Sequence, residues 1–309
     1  IPWYDRGKLF DRTLRFVGDE VAAVAAESEA IAAAALARID VQYEPAPFVL
    51  GLAGAMAADA PRVHGTERNL VDTPAIEQRG SVRKGMREAD LIIDRVYTTQ
   101  SVLHNALEAH GCVARWDDER LTLYASTQGI FALRCEVAQK LGIAESQVRV
   151  ITEHMGGGFG AKQVAWKQDV IAALLARETR RPVRMMLDRH AENLAAGNRN
   201  ATRQHLRIGA TREGTLTAIC ADIEVQIGAY RAGGEGSIVD GIWFGLPCAF
   251  TLSLPSMSST KIANSGRQSC PSRITVGSPR STQMLSPMLS PSLSTSHRGT
   301  VIEAGFAGF

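Results

Sequence analysis

The chain has 309 residues, enough for two domains on ordinary domain lengths. Its formal net charge of +2, with no basic block, argues against nucleic acid as the main partner. Five scattered cysteines, Cys112, Cys135, Cys220, Cys248 and Cys270, show no CxxC spacing and read as reduced, buried thiols rather than as a disulfide framework.

Leu14–Val17, a Gly18-Asp19 turn and Val21–Ala25 read as a β-hairpin. Ser28 is a good N-cap for an alanine-rich helix carrying Ile31, Leu36 and Ile39. Glu27, Glu29 and Arg38 interrupt the apolar run Val21–Ile39, so no membrane span is expected there. No signal peptide is evident, and because the chain starts at Ile1 without an initiator Met, an upstream segment is expected. Asp40–Tyr43 is a strand stopped by Pro45 and Pro47, and residues 51–80 look like loop. Leu91–Thr99 is a strand, and Gly111–Trp116 with Leu121–Ala125 is a hairpin. Phe131–Leu141 is an amphipathic helix with Phe131, Val137 and Leu141 toward a core. A strand at 148–152 leads through a glycine cluster to a helix at about 164–178, closed by Pro182. Val183–Leu187 is a strand, and His205–Ala210 with Leu216–Ile227 is a long hairpin. The mixture of helices and hairpins indicates an α+β fold. Residues 251–309 hold fourteen Ser and five Pro with no apolar periodicity. This stretch reads either as a disordered tail or as translation out of frame.

The cluster Gly156-Gly157-Gly158-Phe159-Gly160 is the richest local signal. Glycine costs backbone entropy, so four in five positions need a sharp turn or a close ligand approach. A strand, a glycine turn and a helix start also gather N–H groups suited to an anion or an oxo group. A Walker A loop does not fit, because Ala161 and Gln163 stand where glycine and Ser or Thr belong. The strict dinucleotide fingerprint fails too. Its looser form, ending at Ala161, lacks an acidic residue at the right distance, since Asp188 comes late. A nucleotide site and a ligand-free turn both stay open on the loop alone.

Several motifs in order carry a resemblance. The stretch 15–26, starting Arg15-Phe16-Val17-Gly18-Asp19-Glu20, looks like the small α/β hammerhead domain of the xanthine dehydrogenase/aldehyde oxidase family. His104 to Trp116 resembles the start of that family's molybdopterin-binding domain. Ser126-Thr127-Gln128 and Gly156 to Lys162 resemble its two local cofactor motifs. The resemblance covers about residues 9–250. It implies a hammerhead domain at 1–75, truncated at its N-terminus, the first part of a molybdopterin-binding α+β domain at 80–250, and the Ser/Pro-rich tail at 251–309.

The resemblance implies a molybdenum–pterin cofactor, with a cytosine dinucleotide extension in a bacterial source, and iron–sulfur and FAD groups on partner subunits. The pterin brings the metal's sulfur ligands, so no protein metal ligand is expected. His104 and His110 read as structural or hydrogen-bonding residues. Gln128, Gly157, Gly158, Phe159 and Gly160 are the implied cofactor-binding residues, with Gln128 on a molybdenum oxo or sulfido ligand and the Gly160 N–H on an apical oxo. Phe159 and Gln163 face the substrate. Xanthine-type members have glutamate where Gln163 stands, and a neutral amide cannot supply that charge. Gln163 thus favours an aldehyde or a neutral N-heterocycle, hydroxylated with water as the oxygen source.

The family's downstream Gly-x-Gly-Glu base and its Ala-Phe-Arg-Ala-Pro-Gly segment are not found, and Glu303 does not match. No catalytic residue is therefore assigned, and the isolated chain is expected to be inactive. A carbon monoxide dehydrogenase type would need a cysteine-bearing loop, which Cys270 does not supply. The rival reading is a non-catalytic remnant, or an assembly or docking protein of a molybdenum hydroxylase complex. Localisation is expected to be cytoplasmic, or periplasmic if the chain is exported with a partner subunit.

Overall fold

A computed structural model of the chain describes residues 8–65, 68–70 and 75–230, together with the strand stretches 249–254, 256–257, 272–275 and 302–308. In chain order the strands are β1 Glu20–Ala26, β2 Gln42–Pro45, β3 Ala75–Arg79, β4 Leu91–Thr99, β5 Val102–Leu103, β6 Gly111–Asp117, β7 Arg120–Ala125 and β8 Val148–Ile151. They continue as β9 Val183–Met186, β10 Asn198–Arg199, β11 Ala201–Ala210, β12 Leu216–Gln226, β13 Ala249–Leu254, β14 Ser256–Met257, β15 Ser272–Thr275 and β16 Ile302–Gly308. Helices and sheets mix as the α+β expectation requires.

The chain divides into two compact units. One draws on Lys8–Ala46, Asn105–Ala196 and Ala263–Phe309, the other on Pro47–His104 and Gly197–Ile262. The units interleave along the sequence. This partition differs from the consecutive division at residues 75–80, because each unit takes strands from distant parts of the chain.

The first unit carries a six-stranded sheet in the order β1-β16-β9-β6-β7-β8. Hairpin β6–β7 is antiparallel, with Cys112 opposite Ala125 and Asp117 opposite Arg120, and β8 adds parallel to β7. Alternate residues on these strands, Ala114, Leu121 and Leu123 among them, are fully buried. The helix Lys167–Thr179 buries Val170, Ile171, Ala172, Ala173 and Ala176. Its contact with β6 is fixed by Trp116, whose indole N–H donates to the Ala173 carbonyl at 2.8 Å. The helix Ile130–Leu141 buries Leu133, Val137 and Ala138. Phe131 does not face the core as expected: it is 69% exposed, with the Arg134 guanidinium 5.4 Å from its ring centre.

The hairpin expected over 14–25 reduces to one strand, β1. The backbone instead turns at Gly18, and the Asp19 N–H donates to the Phe16 carbonyl. The Asp19 carboxylate takes the Arg15 N–H at 2.8 Å, so this motif is spent on a side-chain-closed turn. Asp19 and Glu20 are both buried and both meet Lys167, at 2.5 and 2.6 Å.

The second unit holds a sheet in the order β3-β13-β12-β11-β4, with β14 beside β12. The β11–β12 ribbon and the pairing of β4 with β11 run through nearly their whole lengths. Ala221, Val225 and Ile227 form its core, with Leu206 and Ile223 packed against them. The expected loop at 51–80 contains a short helix, Gly51–Met56, and the strand β3.

Four strands fall wholly or partly in the stretch read as tail. β13 pairs parallel with β12, β15 pairs with β2, and β16 lies between β1 and β9. These residues carry backbone strand pairing inside the stretch read as tail. A short alternation, Ile302, Ala304 and Phe306, is hidden by the Ser/Pro-rich average. The remaining tail residues lie outside the described ones.

Candidate functional site

The glycine cluster follows β8 and precedes the helix Lys167–Thr179, both within one unit. Gly157 and Gly160 both have φ near +99°, and Phe159 between them sits at φ +51°. The two glycines take a left-handed backbone without a Cβ penalty, whereas Phe159 holds it with one.

Both feet of the loop are tied to Glu108. Its Oε2 accepts the Gly156 N–H at 2.6 Å and the Ser126 hydroxyl at 2.9 Å. Its own N–H donates to the Gly156 carbonyl. At the other foot, the Lys162 side chain is wholly buried and its Nζ donates to the Glu108 carbonyl and to Ser126 Oγ, each at 2.7 Å. Burial pulls the Lys162 pKa down, against the opposing pull of Glu108 and Glu192. Burial also pushes the Glu108 carboxyl up, but the Gly156 and Ser126 donors and the Lys162 charge outweigh it and leave it below the usual carboxylate range.

Gln128 lies across this loop from the end of β7. Its Oε1 accepts the N–H of Gly160 at 3.0 Å and of Lys162 at 3.3 Å. Its own N–H donates to the Lys162 carbonyl at 2.7 Å. With Oε1 committed, Nε2 is left as the donor of this exposed amide. A Cβ on Gly158 would stand 2.4 Å from Gln128 Oε1, so glycine there lets the two walls meet. The Gly160 N–H, implied as a donor to an apical oxo, is instead spent on Gln128. Among the described residues, no hydrogen bond engages the N–H of Gly157, Gly158 or Phe159. Phe159 is 64% exposed, so it is not a core residue beneath the loop. Gln163 is exposed beyond the loop's second foot.

A second layer sits behind. His110 Nδ1 meets Glu192 Oε1 at 2.7 Å, its N–H donates to Glu192 Oε2 at 2.8 Å, and its Nε2 lies 3.1 Å from the Ala161 carbonyl. Trp166 Nε1–H donates to the same carbonyl at 2.8 Å. His110 thus has the hydrogen-bonding role expected of it. In the other unit, His104 Nδ1 lies 3.4 Å from the Gly197 carbonyl. Burial pushes the Asp169 carboxyl up to about 6, against the Trp166 N–H, His110 and Cys112. Among the described residues no three His, Cys, Asp or Glu side chains converge to hold a metal.

The resemblance implied Gln128, Gly158 and Gly160 as separate cofactor-binding residues, and in the structure Gln128 lies against both glycines. It missed Glu108, Ser126, Lys162 and Glu192 as the frame of the loop. The one available signal was a charged residue in each motif, Glu108 within 104–116 and Lys162 at the end of the glycine cluster.

The donors gathered here are amide groups: Gln128 Nε2 and three successive backbone N–H groups at a close backbone approach. Such a cradle fits an anionic or oxo-bearing group that brings its own metal ligands, as a molybdenum–pterin does.

A protein-family profile described as a molybdopterin cofactor-binding domain matches residues 63–246. The "Probable hypoxanthine oxidase XdhD" of Escherichia coli (strain K12) is 35% identical over 258 residues, covering 72% of this chain and 27% of that protein. The "Nicotinate dehydrogenase large molybdopterin subunit" of Eubacterium barkeri is 31% identical over 235 residues, covering 76% of this chain and 55% of that one. Among solved structures, the quinoline 2-oxidoreductase of Pseudomonas putida 86 superimposes with a TM-score of 0.71 at 25% identity, over 81% of this chain and 33% of its own. The chain spans from 27% to 55% of the length of these curated relatives.

Proposed function

Because the chain belongs to the molybdopterin cofactor-binding domain family, together with xanthine dehydrogenase and aldehyde oxidoreductase molybdenum-binding subunits, we propose that it forms one wall of a molybdenum–pterin site. The parent enzyme on this reading hydroxylates an aldehyde or an N-heterocycle, with water as the oxygen source. The observation that carries it is the pairing of Gln128 with the Gly156–Gly160 loop, which leaves an amide NH2 and three backbone N–H groups as donors. When bound, the cofactor supplies two-electron oxidation at a carbon atom.

In this reading Gln128 and the amides of Gly157, Gly158 and Phe159 hold the cofactor, and Gly160 positions Gln128. The exposed ring of Phe159 lies edge or face to a planar substrate. Gln163 offers it a neutral donor and acceptor. The names of relatives and neighbours include a hypoxanthine oxidase, a nicotinate dehydrogenase and a quinoline 2-oxidoreductase beside aldehyde oxidoreductases, so they support both substrate classes. The cytosine dinucleotide form of the pterin, a hammerhead domain at 1–75, and iron–sulfur and FAD partner subunits belong to the same proposal. Among the described residues no helix is long and apolar enough to cross a membrane.

The chain supplies no matched general base, so we expect binding without turnover. The test is expression of the 309-residue chain in a molybdopterin-producing host, with molybdenum measured by mass spectrometry and pterin by fluorescence after oxidation. The expected result is pterin with the wild-type chain, at least ten-fold less with Gln128→Ala, and no oxidation of aldehydes or N-heterocycles. Folded wild-type protein free of pterin would sink the site, and measurable turnover would sink the inactivity.

A further inference from the structure

The least expected side chain among the described residues is Lys162, the largest of those fully buried. Lysine is almost never buried completely unless it is paired, because its charge must leave water and only well-placed partners offset that loss. What an apolar side chain cannot supply is direction. Lys162 Nζ reaches the Glu108 carbonyl, Ser126 Oγ and, at 3.5 Å, Glu108 Oε2. Glu108 Oε2 in turn takes the Gly156 N–H and the Ser126 hydroxyl. The first residue of the loop and the second residue beyond it are therefore locked to one carboxylate. The Lys162 backbone extends the lock to the opposite wall. Its N–H donates to Gln128 Oε1, and its carbonyl takes the Gln128 N–H and the Thr127 hydroxyl.

We propose that Lys162 is a positioning residue: through Glu108 and Ser126 it fixes the spacing between the glycine loop and Gln128, and so holds the free amides of Gly157, Gly158 and Phe159 in register with the Gln128 amide. The inference rests on the reading of this site as a cofactor cradle. It assigns Lys162 no contact with substrate or metal.

Hydrogen–deuterium exchange on the full chain tests it without any cofactor. In wild type the amides of Gly156, Gly160 and Lys162 are all bonded, so a peptide covering 153–163 carries measurable protection. In Lys162→Met this protection should fall at least ten-fold, while peptides from β6, β7 and β9 keep theirs and the melting temperature stays within a few degrees. Glu108→Gln, which keeps the volume but not the charge, should give a smaller loss confined to the same peptide. The double variant should lose no more than Lys162→Met alone, because the two groups act as one unit. Pterin retention, measured in parallel, should fall with the loop protection. Unchanged exchange at 153–163 in Lys162→Met would overturn the inference, as would a loss spread evenly over the unit, which marks a fold-stabilising role only. If Lys162→Met does not fold, Glu108→Gln decides by the same two criteria. A wild-type chain that shows the protected loop but never holds pterin would remove the cofactor reading, while the exchange comparison would still decide whether Lys162 sets the loop.

Discussion

At the scale of single residues, the site is a set of polar groups whose neighbours decide their state. Asp169 is the clearest case. It caps the helix Lys167–Thr179 by accepting the Trp166 N–H at 2.9 Å, yet it is buried beside Cys112 and His110. Its carboxyl is pushed up to about 6. An unfolded aspartate ionises near pH 4, so between about pH 4 and 6 the folded state holds a proton that the unfolded state has released. Stability therefore falls as pH rises through that window, and the burial cost is fully present above it. Asp169→Asn keeps an acceptor for Trp166 and removes the charge. Urea unfolding should find it near wild type at pH 4 and more stable at pH 7, by at most about 3 kcal/mol for a shift of this size. Glu108 and Glu192 shift downward, so their stabilisation is lost as pH falls through the ordinary carboxylate range, and it is lost alike in both proteins. The same residue scale shows what was legible. Gln128 and the four glycines are readable because a motif fixes both type and spacing. Lys162 and Glu108 are not, because nothing in a string of letters shows that two charges 54 residues apart meet in the fold.

At the scale of elements, apolar, β-branched strands bounded by turn residues were readable to within a residue or two: Leu91–Thr99 as β4, and the β6–β7 hairpin. Short helices were not. Gly51–Met56, Val82–Arg87 and Arg189–Ala195 are each a turn or two long, too short for a 3.6-residue period to declare itself. The helix Ile130–Leu141 was readable, but its phase was not. Leu133 and Val137 set the buried stripe and turn Phe131 outward. The start of Lys167–Thr179 is bound to β1 by the Lys167 ion pairs with Asp19 and Glu20. Burial, the largest influence on Lys167, works against its charge, but the two carboxylates overcome it and raise its pKa. Removing one partner of a buried pair strands the others, at about 3–5 kcal/mol. Lys167→Met should cost that much in chemical denaturation. A loss under about 1 kcal/mol would show that the two acids find protons or water instead.

At the scale of the whole molecule, the second unit leaves apolar surface open. β4 is exposed along all nine residues, and Leu91, Ile92, Ile93, Val96 and Tyr97 are each at least 44% exposed. Its edge opposite β11 has no strand beside it among the described residues. Long apolar edges invite pairing between chains, though Asp94 and Arg95 blunt this one. The purified chain should self-associate at micromolar concentration, and Ile92→Lys should shift light scattering toward the monomer. A monodisperse wild-type chain would show the edge to be protected already. The overall α+β character was legible from the alternation of elements, but the interleaving of the two units was not. Local periodicity carries no record of which distant strands become neighbours.

The position of β16 has a consequence in time. It pairs with β1 on one side and β9 on the other, so residues near 20–26 wait for residues 302–308 before their sheet can close. Contacts so far apart in sequence are slow to form, since the chain between them must be gathered first. On the ribosome, β1 has no sheet partner among the described residues until residues 302–308 have been made.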